Sequence, residues 1–128
     1  MKLLLDTCTF LWAALDSPRL SGVAAKAFLD PENTRYLSTA SAWEISIKYA
    51  AGRMPLPQKP EIFIPSTRES AVIESLEIDE ESACQAGKLP RIHGDPFDRM
   101  LVAQAIVHGM TILTSDPEIE KYAVRVLW

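Results

Sequence analysis

Short apolar runs alternate along the chain with segments of helical periodicity. A run such as Leu3-Leu4-Leu5, ended by a charged residue, is typical of a strand buried in a sheet. Helices are indicated where a capping residue precedes a longer apolar pattern and glycine or proline follows it. The predicted strands are Leu3–Leu5, Arg35–Ser38, Ala71–Leu76, Thr111–Thr114 and Val124–Leu127. The predicted helices are Phe10–Leu15, Gly22–Leu29, Ala40–Ala51, Asp79–Ala86, Pro96–His108 and Pro117–Lys121.

The order of these elements predicts the fold class. Strands that alternate with helices favour a parallel sheet with helices packed on both faces. We therefore expect an α/β protein with three α/β/α layers and about four to five parallel strands. The proline-rich stretch Met54–Pro65 predicts a loop with at most one helical turn, because an interior proline removes a backbone donor. No repeat or long linker divides the 128 residues, so we expect one domain over residues 1–128.

Charge and cysteine content exclude several classes of protein. The formal net charge of −4 argues against a protein that grips nucleic acid by bulk positive charge. Cys8 and Cys84 stand far apart and outside any C-x-x-C motif, which disfavours a disulfide framework and a cysteine zinc site. The apolar runs near the start are too short for a signal peptide or a membrane span. We expect a cytoplasmic protein with no membrane partner.

Four acidic residues lie where elements meet one edge of the predicted sheet. Asp6 comes directly after the first strand, and Asp116 follows the fourth strand after one intervening residue. Asp98 lies in the first turn of its predicted helix, and Glu44 lies in the second turn of another. Because the carboxyl ends of parallel strands and the starts of the following helices share one edge, we expect the four carboxylates to converge.

A cluster of carboxylates indicates a metal site. Crowded carboxylates repel one another and resist ionisation unless a cation lies among them, and oxygen ligands without cysteine favour Mg²⁺ or Mn²⁺ over zinc. Each acid alone also has a structural explanation. Asp6, Asp95 and Asp116 stand where helix N-caps stand, and Glu44 lies one turn before Lys48, where ion pairs form. The joint placement is therefore stronger evidence than any single member.

Four sequence motifs together resemble a known family. The motifs are Leu3-Leu4-Leu5-Asp6-Thr7, Ser41-Ala42-Trp43-Glu44-Ile45, the run from Asp95-Pro96-Phe97-Asp98 to Ala105, and Leu113-Thr114-Ser115-Asp116. The combination resembles the PIN-domain ribonucleases, and within them the virulence-associated protein C (VapC) toxins of bacterial type II toxin–antitoxin systems. The resemblance runs from the first strand to Trp128 and is weakest in the proline-rich middle.

This resemblance implies a three-layer PIN-like fold and a metal-dependent endoribonuclease that uses Mg²⁺ or Mn²⁺. By matching motif, the implied catalytic residues are Asp6, Glu44, Asp98 and Asp116. Asp6 and Asp98 would ligate the metal, with Glu44 and Asp116 as further ligands and Asp95 as a contact to a second ion through water. The resemblance also implies an RNA substrate, a homodimer and a cognate antitoxin protein.

Polar and basic residues beside the acids are candidates for substrate binding. Thr7 and Ser115 flank acids and are expected to hold metal-bound water or substrate. Arg99 beside Asp98, Lys48 one turn after Glu44, and Lys88 with Arg91 are expected to contact phosphates, although a solvated surface explains any one of them alone.

Other ring-bearing residues are less suited to a role in the site. His93 and His108 are poor candidates for a general base, since His108 ends a helix, where a cation is favoured. Trp12 and Trp43 lie on helices with apolar faces and favour core packing.

Three alternatives to a nuclease share some of these residues. A haloacid-dehalogenase-type phosphatase would need an aspartate where Cys8 stands, and a receiver-like domain would not need Glu44 or Asp98. The third alternative is a catalytically silent protein-binding module on the same fold. The complete set of acids argues against silence, because such a module has no use for crowded carboxylates.

Overall fold

The computed structural model describes residues 1–128 and contains five strands and seven helices. The strands are β1 (Lys2–Leu5), β2 (Thr34–Ser38), β3 (Ile73–Leu76), β4 (Thr111–Leu113) and β5 (Arg125–Leu127). The helices are α1 (Thr7–Ala14), α2 (Gly22–Leu29), α3 (Thr39–Ala50), α4 (Pro60–Ala71), α5 (Glu80–Lys88), α6 (Pro96–His108) and α7 (Pro117–Glu120). None of the helices combines the length and the apolar character needed to cross a membrane.

The five strands form one parallel sheet in the order β3-β2-β1-β4-β5. Strand β1 lies at its centre, and Leu3, Leu4 and Leu5 are fully buried. A strand with helices over both faces needs apolar side chains at every position, which is why this run does not alternate with polar residues. The predicted three-layer α/β/α architecture is confirmed.

The core consists of two apolar clusters, one on each face of the sheet. Leu4 and Ile112 belong to one cluster, which α6 and α7 complete. Leu5 and Leu113, the next residues along the same strands, belong to the other, with side chains from α1, α3 and α4. Because successive strand residues point to opposite faces, each cluster fills one side of the sheet.

The proline-rich stretch is not a loop throughout, and that prediction is wrong from Pro60 onward. Helix α4 has twelve residues, with Pro60 at its first position and Pro65 in its interior. A proline at the first position costs no hydrogen bond, whereas Pro65 removes one. Phe63 is buried in the core, with its ring centroid 6.3 Å from that of Phe10. Burial of α4 therefore outweighs the missing donor.

Helix α4 also displaces the start of the next strand. The last residue of α4 is Ala71. Val72 follows in the left-handed conformation, with φ 54°, and this conformation ends the helix. Strand β3 accordingly begins at Ile73, two residues later than the sequence predicts. At the other end of the chain, α1 begins at Thr7 because the Asp6 carboxylate caps it.

Pro65→Ala should stabilise the protein. The substitution restores an N–H donor inside α4 and removes the clash of the proline ring with the preceding turn, so we expect a gain of about 1–3 kcal/mol in the free energy of unfolding. Chemical denaturation measures the gain. Pro60→Ala is the matched control and should give no gain, because that proline already suits the first helical position. Equal effects of the two substitutions would show that Pro65 imposes no cost on the helix.

Candidate functional site

A pocket of about 360 Å³ opens at the carboxyl edge of the sheet, where β1 and β4 end. All five acids that the sequence predicts line it. They are joined by three of the six residues predicted to contact substrate, Thr7, Ser115 and Lys48, whereas Arg99, Lys88 and Arg91 do not line the pocket. Its remaining walls are Cys8, Trp12 and Pro117. The structure therefore brings together residues from four separate stretches of the chain.

Asp6 joins the end of β1 to the end of β4. One carboxylate oxygen accepts a hydrogen bond from the backbone N–H of Thr9 at 2.7 Å and so caps α1. The other accepts a short hydrogen bond from the hydroxyl of Thr114. Burial raises the pKa of Asp6, and these hydrogen bonds oppose the rise. The Asp6 carboxylate therefore both caps a helix and lines the pocket.

Glu44 is held by a hydroxyl and by an ammonium group. It is only 6% exposed; the Thr7 hydroxyl donates to one carboxylate oxygen at 2.6 Å, and the Lys48 Nζ lies 2.5 Å from the other. The hydrogen bond to Glu44 raises the pKa of Lys48. The ion pair between residues one helical turn apart, which the sequence left open, is present. Lys48 is the one basic residue that lines the pocket.

Asp98 is the acid whose pKa the pocket raises most. Loss of solvent raises its pKa to about 6, with further contributions from the negative charges of Asp95, Asp116 and Glu44. A hydrogen bond from His93 acts in the opposite direction; its Nε2 lies 3.2 Å from Asp98 Oδ2. The acids therefore act on one another electrostatically, as expected of a cluster.

Asp95 and Asp116 each cap a helix with one oxygen. Asp95 Oδ1 accepts from the backbone N–H groups of Phe97 at 2.9 Å and Asp98 at 3.1 Å, at the start of α6. Asp116 Oδ1 accepts from the N–H of Glu118 at 2.9 Å, at the start of α7. In both residues the second oxygen makes no hydrogen bond within the protein, which leaves it available in the pocket.

Arg99 is used elsewhere. Its guanidinium donates to the carbonyl oxygens of Leu89 at 3.2 Å and Pro90 at 2.9 Å, and to the Tyr122 hydroxyl at 3.1 Å. These bonds fix the segment between α5 and α6 and turn the side chain away from the acids. Lys88 and Arg91 are exposed and do not line the pocket. Of the predicted phosphate contacts, the structure brings only Lys48 to the acids.

Sequence reasoning missed two features of this region. The sequence indicates that His93 is a poor candidate for a general base, yet its imidazole contacts Asp98; the signal is its position in the loop just before the capping aspartate of α6. Trp43 was assigned to the core, which is wrong, since it is 61% exposed with its ring centroid 5.3 Å from that of Phe97. Trp12 packs against Trp128 at 5.7 Å between ring centroids while also lining the pocket.

The donor set fits a hard divalent cation. Five carboxylates and two hydroxyl residues surround one pocket. Burial raises the pKa of both Asp6 and Asp98 because it removes solvent that would stabilise their negative charge, and a bound cation would offset that loss. No three acidic, histidine or cysteine side chains are arranged to hold one ion together. Mg²⁺ in proteins keeps several waters and takes few carboxylate ligands, so a small number of direct ligands suits it.

The sequence matches the family model for the PIN domain over residues 3–125. The fold is similar to VapBC2 from Rickettsia felis bound to a DNA fragment from its promoter, with a TM-score of 0.70 and 17% identity over 98% of this chain and 97% of that one. For DNA-bound VapBC from Salmonella typhimurium, the TM-score is 0.68 and the identity is 20%, over 98% of this chain and 96% of that one. For VapBC-5 from Mycobacterium tuberculosis, a member of the VapBC family of toxin–antitoxin systems, the TM-score is 0.60 and the identity is 18%, over 98% of this chain and 94% of that one. No curated protein matches the chain.

The raised pKa of Asp98 predicts that the metal-free protein loses stability as the pH rises. The folded state, with a pKa of about 6 against an ordinary value of 3.8, binds more protons than the unfolded chain between these values. The free energy of unfolding therefore falls across that window and stays low above it. In EDTA, we expect Asp98→Asn to lose less stability than the wild type between pH 4 and pH 7, by about 1–2 kcal/mol after allowance for solvent screening.

Thermal unfolding in EDTA at a series of pH values measures this difference. Asp16→Asn, the same substitution at an exposed position outside the pocket, is the matched control and should keep the wild-type pH dependence. If Asp98→Asn also keeps it, crowding at Asp98 does not destabilise the folded protein.

Proposed function

Since the chain belongs to the PIN domain family, a family of nucleases, we propose that it is a metal-dependent endoribonuclease and the toxin of a toxin–antitoxin pair. The observation that carries the proposal is the convergence of five carboxylates on one pocket at the sheet edge. Such a site attracts a divalent cation and, once loaded, attracts phosphate despite the acidic composition of the chain. The cytoplasm supplies RNA, and it is where we place this activity.

Asp6 and Asp98 would hold a Mg²⁺ or Mn²⁺ ion directly, and Glu44, Asp116 and Asp95 would contact it through the water molecules that such an ion keeps. When bound, the ion supplies a more acidic water and neutralises charge that develops on the phosphate. The protein contributes orientation, because the Thr114 hydroxyl fixes Asp6 and the Thr7 hydroxyl fixes Glu44. Carboxylates whose outer oxygens are hydrogen-bonded are aligned before the ion arrives.

Lys48 and Ser115 are the residues that we propose for contact with the RNA backbone. The Lys48 side chain is one-third exposed and lies in the pocket beside Glu44. An ammonium group binds phosphate as a compact charge, and this one faces a site that a cation would make less negative. Ser115, next to Asp116, presents a hydroxyl that donates to a phosphate oxygen or a water.

The proposed protein partners are a cognate antitoxin and a second copy of the chain. The structures with similar folds are toxin–antitoxin complexes, which supports an antitoxin for this protein too. Large apolar side chains on the surface support protein contacts, among them Trp43 and Ile47 on α3 and Leu29, 72% exposed, at the end of α2. Trp43 and Ile47 lie one helical turn apart and so form adjacent apolar surface, which is the kind of surface that a partner covers.

The alternative is a protein-binding module without catalysis. One observation favours it: the Lys48 ammonium already pairs with Glu44, at the place where a cation would otherwise balance its charge. The two functions differ in their need for metal, because only the nuclease depends on a divalent ion. Cleavage of single-stranded RNA that EDTA abolishes and Mg²⁺ restores would support the nuclease.

Asp6→Asn and Asp98→Asn should each reduce Mg²⁺-dependent cleavage of RNA to background. Both substitutions keep the shape of the side chain and remove the charge of a proposed ligand. Purified variants incubated with single-stranded RNA, with Mg²⁺ or EDTA, measure the loss on a gel. The control Asp16→Asn should cleave as the wild type does. Wild-type cleavage by a folded Asp6→Asn or Asp98→Asn protein would contradict the metal site.

Expression of the wild type alone should arrest bacterial growth, whereas Asp98→Asn should not. A toxin without its antitoxin degrades RNA in the cell that makes it, and the variant lacks the charge required for cleavage. Growth curves at matched protein levels, checked by immunoblot, provide the comparison. Equal growth of the two strains would favour the module without catalysis.

A further inference from the structure

His93 links the acidic pocket to a chain of side chains behind it. Its imidazole ring is 15% exposed and stands between Asp98 and Tyr122. The Nε2 atom lies 3.2 Å from Asp98 Oδ2, and the Nδ1 atom lies 2.7 Å from the Tyr122 hydroxyl. That hydroxyl also receives a hydrogen bond from Arg99 at 3.1 Å. Three consecutive hydrogen bonds thus run from Arg99 to Asp98.

The donor and acceptor properties of the four side chains favour hydrogen-bond donation in one direction, from Arg99 to Asp98. Arginine can only donate, so the Tyr122 oxygen accepts from Arg99 and its own proton is free to donate to His93 Nδ1. An Nδ1 atom that accepts places the ring proton on Nε2, because a neutral imidazole has one donor and one acceptor. The Nε2–H group then donates to Asp98. Two contacts therefore favour the same tautomer of His93: the Asp98 carboxylate, which can only accept when ionised, and the Tyr122 hydroxyl, whose oxygen already accepts from Arg99.

The far end of the chain is rigid. The Arg99 guanidinium also donates to the backbone carbonyl oxygens of Ala86 at 3.3 Å, Leu89 at 3.2 Å and Pro90 at 2.9 Å. Tyr122 is buried in the core cluster that contains α6 and α7. Neither group can turn without breaking these contacts, so the direction of the chain is maintained when solvent or ligands exchange in the pocket.

We propose that His93 is a positioning residue that orients Asp98 for a divalent cation, with Tyr122 and Arg99 fixing its tautomer. This inference rests on the proposed metal-dependent function and adds residues to it. Oδ2 of Asp98 is occupied by the His93 donor, and Oδ1 makes no hydrogen bond within the protein, so Oδ1 is the oxygen available to the ion. A carboxylate fixed on one side offers its other oxygen in a single orientation, which strengthens ligation.

A purely structural link would have a different signature. If the four side chains only fasten the loop before α6 to α7, loss of the hydrogen bonds would lower the melting temperature and leave metal affinity unchanged. Affinity for a metal in the absence of RNA therefore separates positioning from stability, and it requires no turnover.

The test is a titration of Mn²⁺ into RNA-free protein, with free Mn²⁺ followed by electron paramagnetic resonance. His93→Phe keeps a ring and removes the donor, and it should weaken Mn²⁺ binding by about 10-fold. His93→Gln retains an N–H donor and should bind within about 3-fold of the wild type. Tyr122→Phe removes the hydroxyl that favours one tautomer of His93. It should weaken Mn²⁺ binding by about 3- to 10-fold, although Tyr122 does not line the pocket.

His108→Phe is the matched control. His108 lies at the far end of α6, with its Nε2 3.3 Å from an Asp79 oxygen, and the same substitution there should leave Mn²⁺ affinity unchanged. Circular dichroism and the melting temperature in EDTA confirm that each variant is folded. Tyr122→Phe keeps the inference testable if His93→Phe fails to fold.

Each outcome of the titration has one meaning. Weaker binding by His93→Phe and Tyr122→Phe, with recovery in His93→Gln, supports the inference. Wild-type affinity in His93→Phe and Tyr122→Phe overturns it while the proposed function stands. Equal weakening by His93→Phe and His93→Gln also overturns it, because the donor would then not matter. A wild type that binds no Mn²⁺ overturns the proposed function together with this inference.

Discussion

Strand β1 hydrogen-bonds to β2 on one side and to β4 on the other, and every acidic side chain in the pocket depends on this double pairing for its position. The pairing with β4 continues past the end of the strand. The Asp6 N–H donates to the Leu113 carbonyl at 3.4 Å, the Thr9 hydroxyl donates to the same oxygen at 2.8 Å, and Thr114 donates to the Asp6 carboxylate. The start of α1 is thereby fastened to the end of β4, which brings Asp116 to the pocket.

The pocket is stabilised mainly by neutral donors. Hydroxyl and backbone N–H groups meet the carboxylates of Asp6, Glu44, Asp95 and Asp116, and the Lys48 ammonium is the one cation lining the site. Neutral donors satisfy the hydrogen-bonding needs of buried carboxylates without cancelling their charge. The negative potential of the site is consequently preserved for a cation, while the side chains that create it are already oriented.

The fold and the acids could be predicted because both follow from local rules. Asp6 and Asp116 were found because the residues after parallel strands share an edge. Helix α4 was missed because local proline rules do not include the burial of Phe63 against a ring 53 residues away in sequence, that of Phe10. The roles of His93 and Arg99 depend on Tyr122, which a separate segment delivers. Contacts of this kind leave no periodic signal in a sequence.

Three of the pocket acids also cap helices: Asp6 caps α1, Asp95 caps α6 and Asp116 caps α7. Asparagine caps a helix about as well as aspartate, whereas alanine does so poorly. Aspartate and asparagine codons differ by a single base. A gene for this protein can therefore lose the charge of an acid and keep the folded shape in one mutational step. Such substitutions change the charge of the pocket and spare the rest of the surface, so the chemistry of this site and the shape of the protein can diverge independently in evolution.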